Sequence, residues 1–269
     1  MESEPFVSLR RTISELPLLH RFLDDDFIKE QSTCGLKNFL LVHSDNVQAL
    51  QYLECGLREL SEVEGFERLG ARLRGACAWD QYQEVLAQIN ATIWFRQKDL
   101  LKEIEPTLPH RTGSCDALLV FTEQEIYCEV WAAQSFMKIF ESKKTKIAGK
   151  AADLRKREPW MSQKDAEHEI RNRDIVRNLN QKTKRQMPPG QHGILWIDGA
   201  KGWLFHFDVK TIAERIFPSK LQIASVMLWD GERGSQIGEA PFCFVNSGSS
   251  FQDTARKLLL HLNRTDQMH

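Results

Sequence analysis

Two acidic residues of this 269-residue chain lie where neighbouring strands would bring carboxylates together. Asp116 opens the strand-like run CDALLVF (115–121), and Glu129 lies in the middle of a second run, EIYCEVWAA (125–133). A short polar turn separates the two runs, which is the pattern of a β-hairpin. Because strand side chains alternate between faces, Glu129 shares one face of its strand with Trp131. The spacing predicts two carboxylates close together on neighbouring strands.

Two carboxylates held close together repel each other unless a positive charge lies between them. A hard divalent cation such as Mg²⁺ or Mn²⁺, bound by oxygen ligands and water, satisfies this requirement. Asp116 and Glu129 are therefore candidate metal ligands, and a backbone carbonyl near Val130 would complete the set. Glu84, on a helix that begins near Asp80, is a third candidate ligand. The plainer alternatives are that Asp116 is a turn residue and that Glu129 and Glu84 are solvated side chains.

This arrangement resembles the PD-(D/E)XK nuclease superfamily, whose members have the restriction endonuclease-like fold. In that family an Asp at the start of one strand and a Glu-x-Lys on the next strand bind the metal, and a helix in front often supplies another Glu. Asp116 matches the first motif, and residues 129–131 (Glu-Val-Trp) match the second. The resemblance covers about residues 80–198. It implies a metal-dependent phosphodiester hydrolase in which Asp116 and Glu129 are catalytic.

The second motif departs from the family at Trp131, which stands where the resemblance expects a Lys. That Lys orients the attacking water and stabilises charge developing on the phosphate, whereas an indole offers one neutral N–H donor. A displaced Lys could supply the missing charge, and Lys138 and Lys146 are the candidate catalytic donors. Without such a Lys the site would be degenerate, with Trp131 filling the space of the missing side chain.

The main charge pattern lies downstream of the predicted hairpin. Between Lys143 and Arg185 the chain has 14 Lys or Arg against 6 Asp or Glu, or about +8, although its net charge is −1. A basic segment on an acidic body is typical of a surface that faces a polyanion, so we expect DNA or RNA as the partner. A solvated charge run and an acidic protein partner are the alternatives. The candidate nucleic-acid-binding residues are Lys143, Lys144, Lys146, Lys150 and Arg155.

Helical and strand-like segments surround these residues in an order typical of a mixed sheet. Apolar residues recur at helical spacing over the first ~75 residues, and a longer helix is predicted from Trp79. Basic helices fill 137–186, with an interruption near Pro159, and a last helix begins after Ser249 or Ser250. Strands are predicted at 101–104, 115–121, 125–133, 193–199, 203–209, 223–230 and 241–246.

We therefore expect an α/β protein with a restriction endonuclease-like mixed sheet flanked by helices. The predicted division is an N-terminal helical extension (1–78), a nuclease-like α/β core (79–246) and a C-terminal helix (247–269). The extension either packs on the core or forms part of a homodimer contact.

Composition excludes several other classes of protein. The 42% hydrophobic and 27% charged residues are typical of a globular protein, and no apolar run approaches the ~18 residues of a membrane span. The six cysteines include no CxxC pair, and the first residues lack the apolar core of a secretory signal. We therefore expect a cytoplasmic protein without a zinc site or a membrane partner. GxSxG, Walker, GxGxxG and HExxH motifs are absent from the sequence.

Three functions fit this pattern. The first is a nuclease-like nucleic-acid-binding protein of the PD-(D/E)XK type that has lost catalysis. The second is an active endo- or exonuclease that uses Mg²⁺ or Mn²⁺ as cofactor and a displaced Lys. The third is a non-enzymatic scaffold whose basic segment meets an acidic protein.

Overall fold

A computed structural model describes residues 4–30, 47–76, 78–108, 114–132, 144–199, 206–220, 222–229 and 241–265. The helices predicted before residue 100 are present. Apolar residues at helical spacing give each one a buried face, as at Leu69 and Leu73. These helices are α1 (Glu4–Ser14), α2 (Pro17–Phe22), α3 (Asp25–Glu30), α4 (Val47–Leu60), α5 (Phe66–Gly75) and α6 (Trp79–Gln97).

A six-stranded mixed sheet forms the centre of the protein. Its strand order follows the chain, from β1 to β6. The first three strands form an antiparallel meander, β4 and β5 run parallel to β3, and β6 is antiparallel to β5. The strands are β1 (Leu101–Ile104), β2 (Ala117–Phe121), β3 (Gln124–Ala132), β4 (His192–Asp198), β5 (Ile223–Trp229) and β6 (Phe242–Val245).

Helices cover both faces of this sheet, which confirms the α/β class and the mixed sheet flanked by helices. One face packs against the N-terminal helices through strand residues such as Cys128 and Val130. The other face packs, through Trp131, Leu195 and Ile197, against the remaining helices of the middle of the chain. These are α7 (Lys144–Arg157), α8 (Gln163–Gln186) and α9 (His206–Ile216). Among the described residues no helix is long and apolar enough to cross a membrane.

Helix α6 lies at the centre of the larger core. Every residue from 87 to 95 is buried, because the helix packs against α4, α5, β1, β3 and β4. Trp94 and Phe95 contact Trp196 of β4, with ring centroids 5.3 and 5.2 Å apart. A helix that is buried on nearly all sides holds a fixed position, and α6 therefore fixes the groups that it presents to the sheet.

The N-terminal helices and the last helix share one hydrophobic core with the sheet. Leu9, Leu57 and Leu73 belong to the same buried cluster as Ile194 of β4. Leu258 and Leu262 of α10 (Gln252–Thr265) are also members. The division of the sequence at residues 78 and 246 therefore crosses a continuous core.

One predicted strand is wrong. The run 203–209 was expected to be extended, but its end lies in helix α9, which begins at His206; residues 203–205 lie outside the described part of the chain. The buried residues Val209, Ile212, Ala213 and Ile216 are spaced by three and four, which is the helical period. The alternation of apolar and polar residues before residue 209 is too short to distinguish a strand from a helix.

A glycine connects α5 to the sheet. Gly65 precedes α5 with a φ of +91°, and a Cβ added there would lie 1.8 Å from the carbonyl oxygen of Ile104 in β1. The neighbouring Glu64 carbonyl accepts a 2.8 Å hydrogen bond from the Ile104 N–H. Only glycine combines the left-handed backbone with this close approach.

We expect Gly65→Ala to lower the free energy of unfolding by at least about 1–3 kcal/mol, because the variant combines a strained φ with a backbone clash. The measurement is urea unfolding followed by circular dichroism. Gly75→Ala, at the other end of α5, is the matched control, because its added Cβ meets nothing within 4 Å. Equal stability of the two variants would contradict this reading of Gly65.

Candidate active site

Asp116 directly precedes β2, and Glu129 lies in the adjacent strand β3. Ala117 pairs with Cys128 in the antiparallel register, and the N–H of Asp116 donates to the Cys128 carbonyl at 3.1 Å. Asp116 therefore lies just beyond the regular register, which ends at the Ala117–Cys128 pair, and both carboxylates contact one lysine of helix α8, Lys182. The side chain of Asp116 is only 4% exposed and that of Glu129 is fully buried. The predicted pairing of these two carboxylates is present.

A lysine from helix α8 lies on this carboxylate pair. Lys182 Nζ is 2.7 Å from Glu129 Oε1 and 3.7 Å from Asp116 Oδ2. The same ammonium donates to the Val130 carbonyl at 2.5 Å. Lys182 is therefore in contact with three oxygens, two from carboxylates and one from the backbone. It lies beside the strand position that Trp131 occupies.

Burial and charge act against each other at this cluster. Burial, followed by the neighbouring Asp116, raises the pKa of Glu129 well above its usual value, although Lys182 opposes the shift. Burial also tends to raise the pKa of Asp116, but Lys182 and Arg72 outweigh it, so the pKa of Asp116 is lowered. Burial tends to lower the pKa of Lys182, yet Glu129 and Asp116 raise it. Two neighbouring carboxylates whose pKa values move in opposite directions are characteristic of active sites.

A second cation approaches Asp116 from the N-terminal helices. Arg72, in the last turn of α5, donates from Nη1 to Asp116 Oδ1 at 2.9 Å and to Glu105 Oε1 at 2.8 Å. The same nitrogen donates to Gln88 Oε1 at 2.7 Å. Gln88, on the buried part of α6, donates to Glu105 at 3.2 Å and to the Asp116 carbonyl at 3.1 Å. Arg72, Gln88 and Glu105 therefore form a connected polar network that fixes Asp116 on the side of the N-terminal helices.

Backbone groups fix the same carboxylate further. Asp116 Oδ2 accepts a 2.8 Å hydrogen bond from the N–H of Val130. Glu105, directly after β1, has a φ of +51°, and its N–H donates to the Asp116 carbonyl at 3.1 Å. A left-handed non-glycine residue is strained, and such strain persists where the surrounding structure enforces it. Asp116 is thus held in one orientation before any ligand binds.

The other predicted site residues have different outcomes. Lys146 is exposed in the first turn of α7 and does not contact Asp116 or Glu129, and Lys138 lies outside the described residues. Glu84 is half-buried on α6 and is close enough to help raise the pKa of Lys182. Its role as a metal ligand stays a prediction.

The predicted nucleic-acid-binding residues lie mainly on α7. Lys144 and Lys146 are exposed, and Lys150 lies 3.5 Å from Asp174 in an ion pair. Arg155 is exposed and donates to Met161 O and Gln163 Oε1. Lys143 lies outside the described residues. The apolar side of α7 packs inward through residues such as Ile147, so the basic side faces solvent.

The oxygens around Lys182 are the type that a hard divalent cation binds. Both carboxylate oxygens of Glu129 are buried and have no hydrogen-bond donor in good alignment, so its contact with Lys182 is an ion pair only. Within the described ranges, no group of three or more His, Cys, Asp and Glu side chains is arranged to hold a metal ion. Asp116, Glu129 and the Val130 carbonyl supply oxygen donors of this type, and their binding of Mg²⁺ or Mn²⁺ stays a prediction.

Sequence reasoning missed Lys182 and Arg72. Lys182 follows Glu129 by 53 positions, within a segment in which every basic residue was a plausible surface charge. Buried residues at helical spacing on α8, such as Leu179 and Thr183, could have placed Lys182 on the inward side. Arg72 comes from a segment in which no cluster of reactive residues was recognised. No sequence pattern linked it to Asp116.

The raised pKa of Glu129 leads to a pH-dependent stability. Between about pH 4.5 and its raised pKa the folded chain holds one more proton than the unfolded chain, so this contribution to stability falls as pH rises. Glu129→Gln removes the titration. The free energy of unfolding of this variant should therefore increase relative to that of the wild type as pH rises from about 4.5 to 7.

The measurement is urea unfolding at a series of pH values. Glu125→Gln, on the same strand, is the control: its exposed carboxylate has a pKa lowered by the Lys102 hydrogen bond, so its contribution changes only below about pH 4.5 and its difference from the wild type should stay nearly constant from pH 4.5 to 7. A constant difference between Glu129→Gln and the wild type would contradict the raised pKa.

No family model matches this chain, and no curated protein or solved structure is significantly similar to it. Its function must therefore be argued from the residues of the site.

Proposed function

We propose that this chain is a divalent-metal-dependent phosphodiester hydrolase of the PD-(D/E)XK type that acts on nucleic acid. The single observation that carries the proposal is the ion cluster at the hairpin. Lys182 lies 2.7 Å from Glu129 Oε1 and 3.7 Å from Asp116 Oδ2. A lysine is thus present beside the two carboxylates, although the strand position expected to supply it holds Trp131.

The order of the elements agrees with this proposal. A helix, α6, precedes a three-stranded meander, one carboxylate lies directly before the second strand and the other on the third, and a parallel β4 follows after two helices. This is the order helix, strand, hairpin, helix and strand that the resemblance implies for residues 80–198. Trp131 packs with apolar residues of α7 and α8, so its side chain contributes to the core. The positive charge expected at this strand position comes instead from Lys182 of α8.

The chain's own groups have definite parts in the reaction. A divalent cation, when bound, supplies a water of lowered pKa and neutralises charge on the phosphate. Asp116 and Glu129 would hold that cation, and Arg72 and the Val130 N–H keep Asp116 in position. The Lys182 ammonium, beside the two carboxylates, would stabilise charge on the phosphoryl oxygens. The water oxygen would bond to phosphorus as the ester P–O bond breaks, and the leaving oxygen would take up the proton that the water gives up.

The charge of the surrounding surface supports a polyanionic substrate. Helix α7 carries Lys or Arg at six positions and one acidic residue, Asp153. Its buried residues are apolar, so the basic residues remain at the surface. Exposed cations of this kind bind phosphates without reading base sequence.

We expect the purified full chain to cleave end-labelled DNA or RNA, single- or double-stranded, with Mg²⁺ or Mn²⁺ and not with EDTA. Lys182→Met should reduce the cleavage rate about 10²–10³-fold, the usual cost of removing one group that stabilises transition-state charge. Lys184→Met, an exposed position two residues further along α8, is the matched control and should retain the wild-type rate.

Removing Lys182 leaves two buried carboxylates without their cation, so the fold of each variant is checked by circular dichroism. Lys182→Arg keeps the charge and Asp116→Asn removes one ligand; the first should retain part of the activity and the second should lose it. Full cleavage by folded Lys182→Met, or absence of metal-dependent cleavage by the wild type, would contradict the proposal.

One observation favours a second function, a nucleic-acid-binding module without catalysis. The Lys182 ammonium already occupies the position between the three oxygens that a metal would take. A permanently bound ammonium would neutralise the site and exclude the cofactor. Salt-sensitive binding of nucleic acid by a wild-type chain that never cleaves would identify this function.

A further inference from the structure

A cleft of about 520 Å³ lies between α5 and α6, next to the candidate active site. Two of its lining residues take part in the ion cluster. Arg72 hydrogen-bonds to Asp116, and Glu84 acts electrostatically on Lys182. This volume is within the range of pockets that bind small molecules or part of a larger substrate. The cleft is therefore the candidate entrance for a substrate group.

Arg72 makes its hydrogen bonds within the protein through one nitrogen of its guanidinium. All of its hydrogen bonds, to Gln88, Glu105 and Asp116, are donated by Nη1. Within the described part of the chain, Nε and Nη2 have no partner, and the side chain is 36% exposed. The Nε–Nη2 edge is a pair of parallel donors that matches two oxygens of one phosphate.

Both neighbouring carboxylates strengthen this interpretation. Asp116 and Glu105 raise the pKa of Arg72, so the guanidinium keeps its charge although it is partly buried. Its orientation is fixed because Gln88 and Glu105 are themselves buried. A charged guanidinium held in one orientation, with a free donor edge beside a cleft, loses little entropy when it binds an anion.

We infer that the cleft binds a backbone phosphate of the nucleic-acid substrate through the Nε–Nη2 edge of Arg72. This inference rests on the proposed function for its substrate class. It makes α5 part of the substrate site. Arg72 thereby has two roles, because it positions Asp116 with Nη1 and contacts substrate with its other edge. The exposed Gln81 also lines this cleft.

The test measures binding in EDTA, where no metal-dependent cleavage occurs. The probes are two fluorescent thymidine tetranucleotides, one with phosphodiester and one with uncharged methylphosphonate linkages, and the readout is anisotropy. The wild type should prefer the charged probe by about tenfold or more, the usual value of a charge-assisted hydrogen-bond pair. Arg72→Lys keeps a positive charge near Asp116 and Glu105 but loses the pair of parallel N–H donors. Its preference for the charged probe should therefore fall severalfold.

Two further variants keep the result interpretable. Arg74→Lys, on the same helix but outside the cleft, should retain the wild-type preference. Gln81→Glu serves if Arg72→Lys does not fold, because Gln81 accepts from the Ala78 N–H at the helix start and Glu fills that role equally well. The added carboxylate should weaken binding of the charged probe and leave the methylphosphonate probe unaffected.

The outcomes separate this inference from the proposed function. A wild-type preference that is lost in Arg72→Lys or Gln81→Glu supports the phosphate site, even if the chain cleaves nothing. Cleavage by the wild type together with an unchanged preference in both folded variants overturns the phosphate site and leaves the hydrolase intact. Equal binding of the two probes by the wild type also overturns the inference.

Discussion

Two carboxylates facing each other inside a protein are the constraint on which the site depends. Asp116 and Glu129 are both buried, and burial together with the neighbouring Asp116 raises the pKa of Glu129 well above its usual value. Lys182 and Arg72 offset the repulsion between the two carboxylates from two sides. The positions of α8 and α5 are therefore tied to the charge of the β2–β3 hairpin. Removal of either cation would leave a buried negative charge without compensation.

The site also joins the two layers of helices. Arg72 comes from the layer that packs against Cys128 and Val130, and Lys182 comes from the layer on the opposite face. Both cations contact Asp116, which directly precedes β2. The N-terminal helices share their core with α6 and also supply a residue to the candidate active site. The N-terminal helices therefore pack on the sheet and contribute a residue to the candidate site.

Sequence patterns predicted the parts of this site that depend on local geometry. Strand alternation and a short turn were sufficient to place Asp116 near Glu129, because a hairpin involves few residues. Helical spacing located α6 and α8, whereas the alternation over 203–209 was read wrongly as a strand. Lys182 and Arg72 could not be chosen from sequence, because tertiary packing selects one Lys among many on a basic helix. The same limit applied to Lys138 and Lys146, which are close to the motif only along the chain.

Metal binding at the position of Lys182 tests the account most directly. A crystal soaked in Mn²⁺ and measured with anomalous scattering would locate the ion without relying on activity. We expect one Mn²⁺ bound by Asp116, Glu129 and the Val130 carbonyl at about 2.0–2.3 Å, with Lys182 Nζ displaced from these oxygens. A crystal that shows no anomalous peak at this position, with Lys182 still in contact with the three oxygens, would contradict it.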